Sequence, residues 1–361
     1  MTWRRAAERA RNEILSACYE GLDSIALRRR VLAALGRAVP VDAAFFATAD
    51  PATLLYTSAV RQGMPPDVTP LFLHNEFLQE DVNKFRTLAQ APAPVNWLDR
   101  ATEGNRIASA RYREIMRPIG LGDELRAALR TGDTCWGFLC LHREDRSSGF
   151  SAQEARLLTG LVPHIGEGLR RTVLAERAQF DLDPDGPGVA IVAEDGSILA
   201  ATPAASRWLA ELAQVDQPQT LGLPIAVRAV MQRLAQTSDA QARPGLMPRV
   251  RVRTPSGGWL VVHASRLVSS VEPARTQTSL VIEPATPTDL APLIVAVYGF
   301  TRRESAVLQR LLQGLPAKRI AAELEISLHT VRDHIKAIFN KAGVGSRGEL
   351  LAEIYHSSSR M

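Results

Sequence analysis

The chain has 361 residues, of which 46% are hydrophobic and 22% charged. These proportions exclude a wholly disordered, collagen-like or disulfide-stapled protein, and at roughly 100 to 200 residues per domain the length implies two or three domains. The net charge of +5 is concentrated at one end: residues 300–361 hold ten Lys or Arg against six Asp or Glu, which marks a polyanion-binding module on a near-neutral body.

In chain order, residues 2–36 read as two helices, with Ala6, Ala10, Ile14, Leu15 and Cys18 on one face of the first. Two strand-like runs follow, Val41–Thr48 and Leu54–Val60, separated by Asp50-Pro51. After a mixed helical region to Pro118 come strands Glu124–Arg130 and Cys135–Arg143, joined across Thr131-Gly132-Asp133. A long helix is expected from Ser151 to Gln179, opened by a Ser151/Glu154 capping box. The run Cys135-Trp136-Gly137-Phe138-Leu139-Cys140-Leu141-His142-Arg143, with Phe150-Ser151-Ala152-Gln153-Glu154 after it, resembles the end of a GAF domain.

Residues 181–187 are a turn-rich break. Beyond them Gly188 to Trp208 reads as strand, Asp195-Gly196 turn, strand, then a helix entered at Thr202-Pro203. Three later strands are expected at Arg249–Arg253, Trp259–Leu267 and Ser279–Glu283. That order resembles a PAS domain lacking some of its middle helices. Pro284, Pro287 and Pro292 then mark a linker.

The last segment is the most informative. Thr301 and Glu304 form a capping box ahead of Val307, Leu308, Leu311 and Leu312, and Gly314 ends that helix. Ala317–Leu324 is a second short helix, Glu325-Ile326-Ser327 a tight turn, and Ser327 the N-cap of a third helix reaching Ala342. In the third helix Val331, Ile335, Ile338, Phe339 and Ala342 share a core face, while His329, Arg332, Asp333, Lys336 and Asn340 project elsewhere. A fourth helix starts at Ser346 and carries Leu350, Leu351 and Ile354. An outward face of Arg, Asp and Lys one turn apart suits the major groove, where Arg and Lys donate to guanine and Asp accepts from cytosine.

The ordered string Thr301-x-x-Glu304, Gly314, Ile320-Ala321, Ile326-Ser327, Thr330-Val331, His334, Ile338, Lys341, Gly343-Val344 and Ser346-Arg347 resembles the DNA-binding domain of LuxR-family transcription regulators. The resemblance implies double-stranded DNA as partner, with Arg332, Asp333 and Lys336 reading bases and Lys318, Ser327, Thr330, Lys341 and Arg347 anchoring the backbone. Two residues depart from the family pattern: Glu325 stands where the turn usually has Gly, and Ala342 where Leu is frequent. A phosphate-accepting receiver and a P-loop are not expected, because the front begins with two helices and no Gly-Lys-Ser or Gly-Lys-Thr occurs.

The GAF-like resemblance implies a small-molecule effector between sheet and covering helices. Candidate lining residues are Phe45, Phe46, Trp97, Tyr112, Met116, Arg126 and Trp136. Each is equally compatible with plain core or rim, and the alternation in Glu124–Arg130 favours a solvated face for Arg126. Cys135 and Cys140, five apart on one strand, are expected on opposite faces, so they should not pair. Cys140 and His142 share a face, but one side chain of each type makes no metal site, and with Cys18 the three cysteines show no CxxC pair. No metal, haem or other cofactor is therefore expected. Glu8, Arg9, Arg11 and Glu13 interrupt any signal-peptide core, and Leu290–Val297 is far too short to span a membrane, which leaves the cytoplasm as the expected compartment.

The expected fold class is thus α+β and multidomain, with GAF-like (1–179) and PAS-like (180–285) antiparallel sheets with helices, a linker (286–299), and an all-α four-helix helix-turn-helix domain (300–361). The expected protein is not an enzyme but a ligand-responsive DNA-binding regulator, a homodimer held by the Leu157, Leu158, Leu161, Ile165 and Leu169 stripe, with RNA polymerase as a further candidate partner. The rival readings are a GAF-fold enzyme tethered to DNA and a constitutive regulator whose front is only a scaffold.

Overall fold

The computed structural model describes residues 3–145, 148–175, 186–216, 222–237, 247–267 and 277–350. The end of the expected long helix (176–179), most of the turn-rich break (181–185), and Leu351 and Ile354 of the fourth C-terminal helix lie outside the described residues. The chain divides into two compact units, one up to Pro284 and the other from Ala285.

The first unit opens with α1 (Trp3–Tyr19) and α2 (Ser24–Gly36), the latter N-capped by Asp23, whose carboxylate accepts from the amides of Ile25 and Ala26. Then come β1 (Ala43–Ala49), β2 (Tyr56–Gln62), α3 (Thr69–Leu78), α4 (Phe85–Gln90), β3 (Val95–Trp97), α5 (Leu98–Ala101), β4 (Leu121–Thr131), β5 (Thr134–Glu144) and α6 (Ala152–Ala175). The sheet is antiparallel in the order β2-β1-β5-β4-β3. The Ser151/Glu154 capping box forms as expected, and Glu154 also pairs with Arg143 at 2.6 Å.

Helix α6 lies across β4 and β5 with α1 on its other flank. The approach is close because a Cβ on Gly166 would meet the Arg130 backbone at 2.8 Å, and one on Gly168 the Cys18 Cα at 3.1 Å. The apolar stripe expected to hold a dimer is consequently core: Leu158, Leu161, Ile165 and Leu169 are all buried within this unit. The stripe is wider than a helix capping one sheet needs because it serves both the sheet and α1.

The second sheet comprises β6 (Gly188–Ala193), β7 (Ile198–Ala201), β8 (Arg249–Arg253), β9 (Trp259–Leu267) and β10 (Gln277–Pro284), again antiparallel, in the order β7-β6-β10-β9-β8. Helix α7 (Pro203–Gln214) is entered at Thr202, whose hydroxyl accepts from the Ala205 amide, as the sequence pattern predicts. Helix α8 (Ile225–Gln236), absent from that pattern, fills the space between the two sheets, touching α3 and β2 on one side and β8 and β9 on the other. One apolar core runs from Tyr56, Phe77 and Phe138 through Ala226 and Val230 to Val250, Val262 and Leu280. Buried polar groups stitch the same seam. Asp216 accepts from the amides of Ala59 and Ile225, Arg251 pairs with Asp50 at 2.9 Å, and Arg233 donates to the Thr53 carbonyl.

The second unit holds α9 (Pro287–Val297), α10 (Arg302–Leu312), α11 (Ala317–Leu324), α12 (Leu328–Ala342) and a helical turn from Arg347 to Leu350. Residues 286–299 were expected as a linker, but most of them are helix. Thr286 and Asp289 close a reciprocal cap, and Pro287 occupies the first turn, where its missing N–H costs nothing. Leu290, Leu293 and Val297 are buried, so this stretch is a packed helix, with Pro292 inside it, rather than a flexible tether.

Candidate nucleic-acid interface and sensor cavity

In the second unit, local chemistry sets each helix end. The Thr301 hydroxyl accepts from the Glu304 amide while the Glu304 carboxylate accepts from the Thr301 amide. Arg310 of α10 pairs with Glu323 of α11 at 3.1 Å. At Glu325 the backbone turns left-handed (φ 53°, ψ 43°), and Ser327 then caps α12 by accepting from the Thr330 amide at 3.0 Å. Val331, Ile338 and Ala342 anchor α12, with Ile335 and Phe339 half-buried beside them.

The opposite side of α12 is open. Arg332, Asp333 and Lys336 are exposed, and His329 (88% exposed side chain) lies 3.6 Å from Asp333. Arg332 and Lys336 stand one turn apart, about 6 Å along a helix surface. Lys318 is exposed on α11, and the Ser327 and Thr330 hydroxyls meet at 2.8 Å at the helix start. Lys341 and Arg347 are occupied internally. The Lys341 ammonium donates to Glu304 at 2.6 Å and to the Gly299 carbonyl, and the Arg347 guanidinium donates to the Leu311 carbonyl at the end of α10. Both therefore tie the helices to one another.

In the first sheet, strand register decides which side chains meet. Phe45 is paired with Cys140 and Arg61, and Cys140 with Arg126, so all four share a face. On that face is a cavity of about 40 Å³, lined by Phe45, Tyr56, Arg61, Met64, Thr69, Phe72, Leu73, Glu76, Phe85, Arg126, Cys140 and His142. Of the seven residues expected there, Phe45 and Arg126 line it. Phe46 is opposite Leu139, on the α6 side of the sheet. Trp97 is half-buried under the Arg100 guanidinium, and Tyr112 and Met116 belong to a separate cluster with Ala43, Leu98 and Leu121. Trp136 is buried and does not line the cavity. Tyr56, Thr69, Phe72, Glu76 and Phe85 were missed because no sequence period tells where α3 and α4 lie on the sheet.

Arg126 is not solvated. Its side chain is 4% exposed, pairs with Glu76 at 2.8 Å, donates to the Asn83 carbonyl and lies 3.9 Å from the Phe85 ring centre. Both faces of β4 are covered, so alternation along this strand does not mark solvent. Beside it Arg111, fully buried, donates to Glu124 and to Asn75, with Asp81 at 3.7 Å. Burial pushes the Glu124 carboxyl up, but the Arg111 and Arg126 guanidiniums overcome it and hold the group at about 2. Burial also lowers His142 to about 4 and raises the Cys140 thiol.

Two expectations about the cysteines change. The β4–β5 register shifts between Leu129 and Arg130, with Cys135 opposite Arg130 and Gly137 opposite Leu129. That bulge reverses the alternation, and Cys135 joins Phe138 and Cys140 in one core cluster instead of facing away. Moreover, Cys140 and His142 are joined by Glu124. The Cys140 sulfur lies 3.2 Å from His142 Nε2 and 3.3 Å from Glu124 Oε2.

Comparison with known proteins agrees with both regions. Residues 299–353 match the family model described as bacterial regulatory proteins, luxR family, and residues 23–169 match that of the GAF domain. The chain is 50% identical over 50 residues to an Aeromonas salmonicida protein named as an HTH-type transcriptional regulator. It is 44% identical over 52 residues to response regulator Rre1 of Synechocystis, and 43% identical over 54 residues to the spore germination protein GerE of Bacillus subtilis. These matches take in 14%, 14% and 15% of this chain and 26%, 22% and 73% of the respective relatives.

Proposed function

The chain belongs to the luxR family of bacterial regulatory proteins, and we propose that it is a sequence-specific DNA-binding transcriptional regulator governed by its front unit. The observation that carries this reading is the open Arg332–Asp333–Lys336 stripe on a helix whose N-terminus is capped and whose other side is locked in a core. Laid in a major groove, such a helix gives Arg and Lys access to guanine O6 and N7 and Asp access to the cytosine amino group. Lys318, Ser327 and Thr330 supply phosphate contacts, whereas Lys341 and Arg347 hold the module in shape.

The protein acts by binding and not by turnover, in the cytoplasm, with RNA polymerase as the further partner that transcriptional control implies. A single small basic module binds weakly at physiological salt, so a homodimer on two half-sites about one helical turn apart is part of the proposal. The GAF-matching region and the PAS-like second sheet form the input, with a small-molecule effector at the cavity between Phe45, Phe85 and Arg126. Selection of duplexes from a random pool by the full chain should enrich a motif with two half-sites. Arg332→Ala and Lys336→Ala should each relax its preference, at about 1–3 kcal/mol per half-site. A pool that enriches nothing, or variants that discriminate as well as the parent, would sink the assignment.

A further inference from the structure

Among the described residues, Glu124, Cys140 and His142 form a group in which three side chains of metal-ligand type bring their donor atoms within 4.8 Å of one another. All three are fully buried, or nearly so, and all stand on paired strands rather than loops. Cys140 and His142 are two apart on one face of β5, and Glu124 on β4 is registered directly opposite His142. The sulfur lies 3.2 Å from the imidazole nitrogen and 3.3 Å from the carboxylate oxygen. In a tetrahedral site with ordinary bond lengths of about 2.3 Å to sulfur and 2.1 Å to nitrogen or oxygen, those edges measure about 3.6 Å, a few tenths of an ångström away.

The fold makes little other use of the imidazole. His142 Nδ1 has no hydrogen-bond partner, and Nε2 meets the thiol. The atom facing the sulfur and the carboxylate is therefore Nε2, whose side-chain contact is the thiol whose proton a metal ion would replace. The carboxylate, in contrast, is already oriented, since Arg111 binds Glu124 Oε1 while Oε2 faces the sulfur at 3.3 Å with Arg126 Nε 3.6 Å away. The two guanidiniums beside Glu124 do not leave the region strongly cationic, because Asp81 stands by Arg111 and Glu76 pairs with Arg126. Cys140 and His142 both line the cavity, which gives the group access to that space.

We propose that Glu124, Cys140 and His142 bind a divalent transition-metal ion of the zinc type, with the fourth position open to water or a small anion in the cavity. Sulfur, imidazole and carboxylate together select a borderline-soft dication over magnesium or calcium, which take all-oxygen shells. The thiol proton passes to solvent as the metal takes its place. The proposal goes beyond the DNA-binding reading and is measured without DNA, so either stands if the other fails.

The test is titration of the chelator-stripped full chain with Co²⁺ alone. The expected result is one Co²⁺ per chain with a sulfur-to-cobalt charge-transfer band and the strong visible absorption of four-coordinate cobalt, both erased by Zn²⁺. Cys140→Ser should abolish the charge-transfer band, whereas Cys18→Ser and Cys135→Ser should keep it. His142→Gln should weaken binding by more than about tenfold. Glu124→Gln also takes a partner from buried Arg111, so the near-isosteric Cys140→Ser, checked for fold by circular dichroism, is the decisive variant. As a second readout, Zn²⁺ should raise the melting temperature of the parent chain. No charge-transfer band in excess Co²⁺, a band that survives Cys140→Ser, or a melting temperature indifferent to Zn²⁺ would overturn the site.

Discussion

Glu325 shows how one residue can satisfy a topology and strain it at once. It holds the left-handed conformation that the turn between α11 and α12 demands, at φ 53°. For an L-residue with a Cβ this conformation costs about 1 kcal/mol or more, and glycine would relieve it at the price of a looser unfolded chain. Glu325→Gly is therefore expected to stabilise the second unit by about 0.5–1 kcal/mol in chemical denaturation while leaving DNA affinity unchanged, because the side chain lies outside the Arg332–Lys336 stripe. A loss of stability would show that the carboxylate makes a compensating contact. The departure from glycine is visible in the sequence, but its cost is visible only once the backbone angle is known. The same holds for Lys341 and Arg347, which the family resemblance places on the DNA backbone and which the structure bonds to Glu304, Gly299 and Leu311.

At the scale of elements, α6 is the instructive case. Its apolar stripe has the period of an interface helix, and period alone does not distinguish a partner subunit from the chain's own sheet. With Leu158 and Leu161 each 1% exposed, replacing both by Glu would place two carboxylates in a dry core at a cost above about 3 kcal/mol each. The expected outcome is loss of the cooperative melting transition of the first unit by circular dichroism. A variant that stayed folded and merely changed its oligomeric state in light scattering would restore the interface reading. Helix α9 teaches the complementary point, since of the prolines that read as a linker Pro287 opens a helix and Pro292 lies inside it. The β5 bulge adds a third, because one extra residue reversed the faces that simple alternation assigned to Cys135.

Over the whole first unit, the seam between the two sheets carries buried charge. Asp216 lies between β2 and α8, and burial pushes its carboxyl up to about 6 despite the two amides and the nearby Arg61 that favour its charged form. A folded-state value above the unfolded value of about 4 means that the folded chain binds the proton more tightly. The associated stability is fully present below about pH 4 and is lost as pH rises through about 6. Asp216→Asn removes this titration. Urea denaturation should show the parent chain losing about 1–3 kcal/mol relative to the variant between about pH 4 and pH 7. A pH-independent difference would mean that Asp216 titrates normally and that the seam is wetter than its burial implies.

What the sequence determines by itself is short-ranged. The capping boxes at Ser151/Glu154 and Thr301/Glu304, the Ser327 cap, the Asp195-Gly196 turn, the succession of strands in the second sheet and the exposed stripe of α12 were legible because each depends on hydrogen bonds or side-chain period within a few residues. What covers a face is decided elsewhere in the chain. Only the tertiary structure places α8 between the sheets, buries Arg126, turns the α6 stripe inward and gathers Phe45 with Tyr56 and Phe85 while sending Phe46 to the other side. Only strand register brings Glu124 to Cys140 and His142, since Glu124 and His142, eighteen apart in sequence, become neighbours by backbone pairing. Burial and side-chain convergence belong to pairs of elements, and the local pattern of one element does not contain them.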